Sequence, residues 1–189
     1  TSVSFILYLS KEPKINADGM VSLEGFKMRS VPVYDAFLKA LGATTVTVQV
    51  PELYNALERG LVNGFAFPEM WTRGLSWAKF IKYRVYPNFY QLEPSVFMSN
   101  KALKKLSPEG RKIIREVGME WEKKSAEYWG PLVAKEREIL AKEFGQKEIT
   151  LSPEAGKKYR ALANEVPIAR LKAVGTPEAA TLSKLYHGQ

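Results

Sequence analysis

Apolar and polar residues in the first part of the chain alternate between strand-like and helix-like patterns. Val3 to Leu9 is a continuous apolar run with the length and β-branched content of a buried strand. Phe26 to Arg29 and Thr45 to Val50 predict two further strands, each followed by apolar residues at helical spacing and a closing glycine. Another strand is predicted around Gly64 to Phe67. Three strands separated by two helices indicate an α/β fold with a parallel sheet.

The remainder of the chain predicts one extended segment followed by helices. Tyr86 to Asn100 is extended and interrupted by two prolines, which is typical of an edge or crossing strand with a bend. Later helices begin with a hydroxyl residue, proline and glutamate, a combination that caps a helix and suits its dipole, at residues 107–109, 152–154 and 176–178. Gly130 and Pro131 predict a break or kink in the first of these helices.

Composition narrows the class of protein. The 189 residues include no cysteine, which excludes disulfides, thiolate metal sites and thiol nucleophiles. No apolar run approaches the roughly 20 residues that a membrane-spanning helix needs. The net charge of +8 raises nucleic-acid binding as an alternative, but lysine and arginine are interspersed with glutamate and form no dense basic stripe. A cationic surface also concentrates anionic solutes near a cleft.

Recognisable catalytic patterns are missing from the sequence. It contains no GxSxG, HExxH, P-loop or GxGxxG motif, and its single histidine, His187, is interpreted as a solvated residue near the end of the chain. We therefore expect a protein that is not an enzyme and uses no cofactor or metal.

Arg29 is the main candidate for a binding residue. It ends a short strand that leads into a helix, and open α/β sheets bind ligands at the carboxyl ends of their strands. A guanidinium group holds a carboxylate through two parallel hydrogen bonds, which lysine cannot reproduce. The alternative interpretation is an ordinary surface arginine.

A group of large side chains follows the strand at Gly64, comprising Phe65, Phe67, Glu69 and Trp71. Because side chains alternate along a strand, Phe65 and Phe67 share one side, and they either pack in the sheet interior or face a cleft. Tyr90 belongs to a later aromatic stretch with the same two interpretations.

Several ordered fragments carry a family resemblance. Residues 23–29 read LEGFKMR, residues 37–43 read FLKALGA and residues 52–64 read ELYNALERGLVNG. In this order and spacing they resemble the signature of the substrate-binding proteins of tripartite (TRAP) transporters, the DctP family. The later Ser99-Asn100 and the LSPE sequence of residues 106–109 also resemble that signature.

The resemblance implies a two-lobed clamshell fold of the type II periplasmic-binding-protein kind, closing on a ligand. Family members are longer, so the chain is expected to lack an N-terminal segment that builds much of the other lobe. Residues 1–100 would then form an α/β ligand-binding lobe with its crossing strand. Residues 101–189 would form a mainly helical segment that packs on the lobes.

The resemblance also implies a function, which is to bind an organic acid outside the cytoplasm, in the periplasm or at the cell surface, and to deliver it to the TRAP permease subunits. Arg29 matches the arginine that fixes the substrate carboxylate in this family. Positions near the ligand in relatives correspond to Val50, Phe67 and Phe65, and Tyr8 stands in a strand where some members carry a further arginine. The predicted ligand-binding residues are Arg29, Phe67, Val50, Phe65, Trp71, Tyr8, Glu69 and Tyr90.

Two departures from the family pattern bear on the ligand. Asn63 replaces a common aspartate, and Phe67 stands where many binders of acid sugars carry asparagine. A single evident arginine and an aromatic surround favour a monocarboxylate with an apolar or aromatic body. The alternatives from other classes are a small α/β enzyme that uses Arg29 as an anion anchor and a basic nucleic-acid-binding module.

Overall fold

Eight strands and five helices make up the part of the chain that the computed structural model describes, residues 3–92, 95–176, 178, 179 and 181. The strands are β1 (Val3–Leu9), β2 (Lys14–Ile15), β3 (Val21–Ser22), β4 (Lys27–Ser30), β5 (Thr44–Thr47), β6 (Gly64–Pro68), β7 (Tyr83–Leu92) and β8 (Lys147–Thr150). The helices are α1 (Asp35–Ala40), α2 (Leu53–Glu58), α3 (Asn100–Lys105), α4 (Pro108–Phe144) and α5 (Pro153–Val174).

Six of the strands form one mixed sheet in the order β5-β4-β6-β1-β7-β8, and β2 and β3 pair separately. β4 is parallel to both β5 and β6, which confirms the predicted parallel unit of three strands. β1 runs antiparallel to β6 and β7, and β8 is parallel to β7. The strands β4 to β8 of this sheet therefore all end at one edge, where β1 begins. We call this edge the carboxyl edge.

β7 corrects the expectation of an edge strand. It lies inside the sheet between β1 and β8, and it begins at Tyr83 rather than near Tyr86. Its pairing with β1 changes register, with Phe5 opposite Tyr90 and Leu7 opposite Val85. Pro87 falls within this irregular stretch, and such irregularities are where a sheet interior accepts a proline, which has no N–H to donate.

Each face of the sheet carries its own apolar core. On one face, α1 and α5 cover a cluster that includes Phe37, Phe89 and Tyr159, all buried. On the other face, a second cluster forms around Tyr8, Phe65 and Trp77 and includes the buried residues of α2. Side chains of β1 alternate between the two clusters, as the period of two along a strand requires.

The helical starts were predicted from capping signals, and two are confirmed. Ser107 and Ser152 accept backbone N–H groups at the starts of α4 and α5, with proline in the first turn of each helix. The third start includes Pro177, which lies outside the described residues. α4 is continuous over 37 residues and includes Pro131 in its interior, so the predicted break at Gly130 and Pro131 is not present.

The amino-terminal half of α4 carries several exposed apolar side chains among its charged residues. Ile113, Val117 and Trp121 are between 50% and 64% exposed. Within the described part of the chain, no helix has the length and apolar character needed to cross a membrane.

Gly64 is the position where the sheet leaves no room for a side chain. A Cβ atom there would lie 2.5 Å from the Met28 sulfur and 3.0 Å from the Tyr8 carbonyl oxygen. We expect Gly64→Ala to lower the free energy of unfolding by about 1–3 kcal/mol in urea titrations, because overpacking forces backbone movement. Gly118→Ala in α4 is the control, since its Cβ would meet nothing within 4 Å. It should be stabilising by about 0.5–1 kcal/mol through helix propensity. Equal effects of the two substitutions would contradict the packing argument.

Candidate functional site

Arg29 lies near the end of β4, at the carboxyl edge, with its side chain 4% exposed. Its Nε donates to the Val48 carbonyl oxygen at 2.8 Å, and its Nη1 donates to the Tyr34 hydroxyl oxygen at 2.8 Å. Tyr34 precedes α1, and its hydroxyl donates in turn to the Ala66 carbonyl oxygen at 3.1 Å. The guanidinium is thus held by groups that follow β5 and β4, and through Tyr34 by β6.

The charge of Arg29 has no acidic partner among the described residues, since none of their ion pairs includes it. Both groups that it contacts are neutral. A buried cation normally pairs with an anion, because neutral hydrogen bonds restore only part of its lost hydration. Three of its five N–H donors also have no hydrogen-bond partner in the described structure, one on Nη1 and two on Nη2. This combination is suited to receiving an anion.

A second buried arginine on the same face of the sheet provides a contrast. Pairing places Arg29 beside Phe65, Phe65 beside Tyr8, and Tyr8 beside Arg84. Arg84 is fully buried, and its Nη2 lies 3.0 Å from a carboxylate oxygen of Glu148. The sheet therefore contains two buried arginines in one row, of which Arg84 is neutralised within the chain.

Glu148 also binds Arg137, whose Nη2 donates to it at 2.6 Å. Burial acts to raise the pKa of the Glu148 carboxyl, but the hydrogen bond from Arg137 and the charges of Arg84 and Arg137 outweigh it, so the pKa is lowered. The guanidinium of Arg137 also lies over the Tyr86 ring, 4.2 Å from its centroid. The Arg84 end of the row is therefore a structural ion-pair network.

Phe65 and Tyr8 separate the two arginines and belong to the core. Both are fully buried, and their rings stack with centroids 5.1 Å apart. Of the two interpretations left open for Phe65, the geometry favours packing in the sheet interior, and Tyr8 donates its hydroxyl to the Pro68 carbonyl oxygen. Neither residue has exposed surface in the described structure. Ligand contact by Phe65 and Tyr8 is therefore not seen directly and stays a prediction.

Phe67 lies two residues further along β6, beyond the end of β4 and on the same face as Arg29. It is partly exposed at the carboxyl edge, and its ring meets Trp77 edge-on at 4.8 Å. Val50, in the single helical turn Val50–Glu52 that follows β5, is 38% exposed. Phe67 and Val50 therefore both present apolar surface near the end of the parallel unit.

Tyr90 belongs to an aromatic group on the opposite face of the sheet. Its ring meets Phe5 edge-on at 5.8 Å, and Phe5 lies 6.1 Å from the ring of Tyr34, the residue that holds Arg29. Tyr90 is partly buried and stands near the end of β7. It is thus connected to Arg29 through two intervening aromatic rings.

Glu69 and Trp71 line a cavity of about 310 Å³ between the carboxyl edge and α4. Trp71 is 44% exposed and meets Trp129 of α4 edge-on at 6.0 Å. Other residues that line the cavity are Val3, Ser4, Met70, Ala126, Gly130 and Val133. The cavity is at the carboxyl edge because Glu69 follows β6 directly, and its N–H donates to the Ser4 carbonyl oxygen.

The carboxyl group of Glu69 also borders a second cavity of about 510 Å³, on the side of β7 and β8. It accepts a hydrogen bond from the Tyr86 hydroxyl at 3.0 Å. Burial raises its pKa, although the hydrogen bond from Tyr86 and the charges of Arg137 and Arg84 oppose the shift. Glu69 is the acidic group nearest in sequence to the aromatic residues of β6.

Metal and catalytic sites were not expected from the sequence. The described residues contain no group of three or more histidine, aspartate or glutamate side chains placed to hold a metal ion. His187 lies outside the described residues.

Tyr34 and Val48 are the parts of the Arg29 environment that sequence reasoning missed. Both stand in connections that leave strands of the parallel unit, where ligand-site residues gather. That position was the available signal for Tyr34. Nothing in the sequence identifies a backbone carbonyl such as that of Val48 as a partner.

Residues 20–170 match the model of bacterial extracellular solute-binding protein family 7, DctP. The chain belongs to this family. The match includes Arg29 and extends through most of α5.

Individual members of this family and similar solved structures share at most 27% of their residues with the chain in the following examples. The uncharacterized protein YiiZ of Salmonella typhimurium is 27% identical over 142 residues, which cover 72% of this chain and 42% of YiiZ. A TRAP periplasmic solute-binding protein from Desulfovibrio salexigens, with bound orotic acid, has a TM-score of 0.82 at 20% identity. A marine metagenome TRAP solute-binding protein specific for aromatic acid ligands has a TM-score of 0.74 at 22% identity.

The two structural matches cover 98% and 96% of this chain but only 59% and 58% of those proteins. They establish the fold as that of type II clamshell binding proteins. The chain therefore spans well under two thirds of the proteins that it resembles. This family and these neighbours are substrate-binding receptors, not enzymes.

Asn63 shows how the chain tolerates one departure from the DctP family pattern. Its side-chain oxygen accepts the Lys27 N–H at 2.9 Å, while its own N–H donates to the Lys27 carbonyl oxygen at 2.9 Å. Only an acceptor oxygen is needed for this exchange, and asparagine supplies one as aspartate does.

Glu148→Gln should destabilise the protein, because it leaves the fully buried Arg84 without a charged partner. We expect the free energy of unfolding at pH 7 to fall by about 1–3 kcal/mol. This is the cost of leaving the buried Arg84 charge incompletely satisfied, reduced because Glu148 is partly exposed. Glu138→Gln is the matched control, since it breaks only an exposed pair with Lys142 on α4. That change should cost well under about 1 kcal/mol.

The effect of Glu148→Gln should depend on pH. Because the Glu148 pKa is lower in the folded chain than in the unfolded chain, its contribution is present at neutral pH. The contribution is lost as the pH falls through the ordinary and then the lowered pKa. The free energies of unfolding of the wild type and of Glu148→Gln, measured by urea titration, should therefore converge as the pH is lowered from neutral to acidic. A difference that grows on acidification would contradict the assignment.

Proposed function

We propose that this chain is the ligand-fixing part of an extracytoplasmic solute-binding protein of a TRAP transporter, in which Arg29 binds the carboxylate of an organic acid. The observation that carries the proposal is the buried Arg29 guanidinium, which has no ion-pair partner among the described residues. Membership of the DctP family supplies the class of protein, and the geometry of Arg29 supports the chemistry of the ligand.

The position of Arg29 supports carboxylate binding in two ways. It lies at the carboxyl edge, where the ligands of open α/β sheets gather. Its remaining N–H donors all belong to the terminal nitrogens Nη1 and Nη2, which can form charge-assisted hydrogen bonds to carboxylate oxygens. Low exposure strengthens such contacts, because less water screens them.

We further propose that the preferred ligand is a monocarboxylate with an apolar or aromatic body. Phe67 and Val50 offer apolar surface near Arg29, and Trp71 lines the cavity beside α4. The relative from Desulfovibrio salexigens holds orotic acid, and the marine metagenome relative is specific for aromatic acids. Other structural neighbours hold acid sugars or malonate, so the family fold alone does not select the ligand.

We also propose that the protein delivers its ligand to TRAP permease subunits and is located in the periplasm or elsewhere outside the cytoplasm, a proposal that membership of the DctP family supports. In a clamshell protein a second lobe would close over Arg29 and exclude water. The matched structures extend well beyond the portion equivalent to this chain, which leaves room for that lobe in the whole protein. We propose that this second lobe also contacts the ligand.

The nucleic-acid alternative is not supported by a particular surface in the described structure. Basic residues on α4 form ion pairs with glutamates one turn away, including Lys124 with Glu120 and Lys142 with Glu138. Such pairs are typical of a solvent-exposed helix face and do not make a continuous cationic stripe.

Arg29→Ala, made in the full-length protein, should weaken binding of the acid by about 2–5 kcal/mol, because the ligand carboxylate loses its charged partner in a desolvated site. Arg29→Lys should recover little, since an ammonium group cannot reproduce the planar pair of donors. Isothermal titration calorimetry measures both. Affinity near that of the wild type in both variants would disprove the role of Arg29.

A thermal-shift screen of acids on the full-length protein should show stabilisation by aromatic or branched monocarboxylates. Sugar acids and succinate should have little effect, because buried hydroxyl or carboxylate groups without partners each cost about 1–3 kcal/mol or more. Phe67→Asn, which restores the residue common in binders of acid sugars, should weaken the response to aromatic acids. The opposite ligand preference in the wild type would overturn the assignment and leave the Arg29 proposal intact.

A further inference from the structure

Among the described residues, one side chain hydrogen-bonds the Arg29 guanidinium, that of Tyr34. We propose that Tyr34 is a positioning residue, which fixes the Arg29 guanidinium so that only its terminal nitrogens Nη1 and Nη2 are presented to an anion. The inference extends the proposed function, because it concerns how the same arginine is held. It rests on the hydrogen bonds, the packing and the strand connections around Tyr34.

The direction of each hydrogen bond around the Tyr34 hydroxyl is determined by chemistry. Arg29 can only donate, so the Tyr34 oxygen accepts from Nη1 at 2.8 Å. The Ala66 carbonyl can only accept, so the hydroxyl proton points to it at 3.1 Å. The hydroxyl therefore has no freedom to rotate without losing a bond. Burial raises the Tyr34 pKa, although the Arg29 charge and its hydrogen bond oppose the shift, and the group stays protonated at neutral pH.

The ring of Tyr34 is packed in the apolar core. Tyr34 is 4% exposed, and its ring meets Phe89 edge-on at 6.1 Å and is tilted against Phe5 at 6.1 Å. Phe89 is itself stacked on Phe37 of α1. The oxygen that accepts from Arg29 is therefore attached to a core element and not to a mobile surface chain.

The two tethers on Arg29 determine which side of the guanidinium remains available. The Nε–H group is occupied by the Val48 carbonyl oxygen, which removes the side-on arrangement in which a carboxylate bridges Nε and Nη2. Tyr34 holds one hydrogen of Nη1. A carboxylate can then be engaged only through the remaining hydrogens of Nη1 and Nη2. Without Tyr34, only the hydrogen bond from Nε to Val48 would hold the guanidinium, which could then tilt about that single bond and lose part of this preorganisation.

A purely structural role is the competing explanation for Tyr34, since its ring is part of the core. Tyr34→Phe separates the two roles, because it keeps the ring and removes both hydrogen bonds. Tyr54→Phe is the matched control. The Tyr54 hydroxyl likewise makes two hydrogen bonds, accepting from Lys79 and donating to Glu58, but neither involves Arg29.

The decisive measurement uses ¹⁵N NMR of the arginine side chains in the ligand-free protein. We expect hindered rotation of the Arg29 Nη groups in the wild type and clearly faster rotation in Tyr34→Phe. The signals of Arg84, which does not contact Tyr34, should stay unchanged and verify that the fold is intact. Unchanged Arg29 rotation in Tyr34→Phe would overturn the proposal. An additional check in the wild type needs no variant, namely a nuclear Overhauser contact between the Tyr34 hydroxyl proton and an Arg29 Nη proton.

A binding cycle tests the consequence for the ligand, with benzoate as the probe and calorimetry on the full-length protein. Tyr34→Phe should weaken benzoate binding by about 5–30-fold. In the Arg29→Ala background the same substitution should have no further effect, because its role passes through Arg29. An equal loss in both backgrounds would show that Tyr34 acts only through packing, which also overturns the proposal. Failure of the proposed function would give a different result, because Arg29→Ala alone would then leave benzoate binding unchanged.

Discussion

The candidate site depends on a buried positive charge that neutral groups hold in place. Arg29 loses most of its contact with water, and the Val48 carbonyl and Tyr34 hydroxyl satisfy two of its donors without cancelling its charge. Those partners reach it only because β4, β5 and β6 are parallel and end at the same edge, which brings Val48 and Ala66 to either side of Arg29. The parallel unit is therefore what places Arg29 where we propose that it binds an anion.

Arg84 shows that burial alone does not make an arginine functional. It occupies the same row and the same face as Arg29, with the stacked rings of Tyr8 and Phe65 between them. The difference is Glu148, which β8 brings to Arg84 and for which Arg29 has no counterpart in the described structure. Within one sheet, an internal carboxylate thus distinguishes the ion-paired Arg84 from the arginine that we propose binds a ligand.

Sequence patterns predicted the parallel unit and the strand-end position of Arg29, because alternating strands, helices and closing glycines are local signals. They did not predict that β1 is antiparallel or that β8 joins the sheet, since strand order depends on contacts between distant residues. The orientation of Phe65 was open for the same reason. Alternation places Phe65 with Phe67, but only the covering elements decide that Phe65 is buried and Phe67 partly exposed.

The loop after β6 connects the carboxyl edge to the long helix α4. Trp71 adopts a φ of 71°, a backbone region that costs a bulky residue about 1–2 kcal/mol, so its surroundings must hold it there. Its carbonyl accepts the Leu75 N–H, its ring meets Trp129, and Arg73 pairs with the buried Glu136 at 3.1 Å. Two of these contacts come from α4. The position of Trp71 at the edge of its cavity is therefore set by α4 as much as by the sheet, and movement of that helix would change the cavity without disturbing the tethers on Arg29.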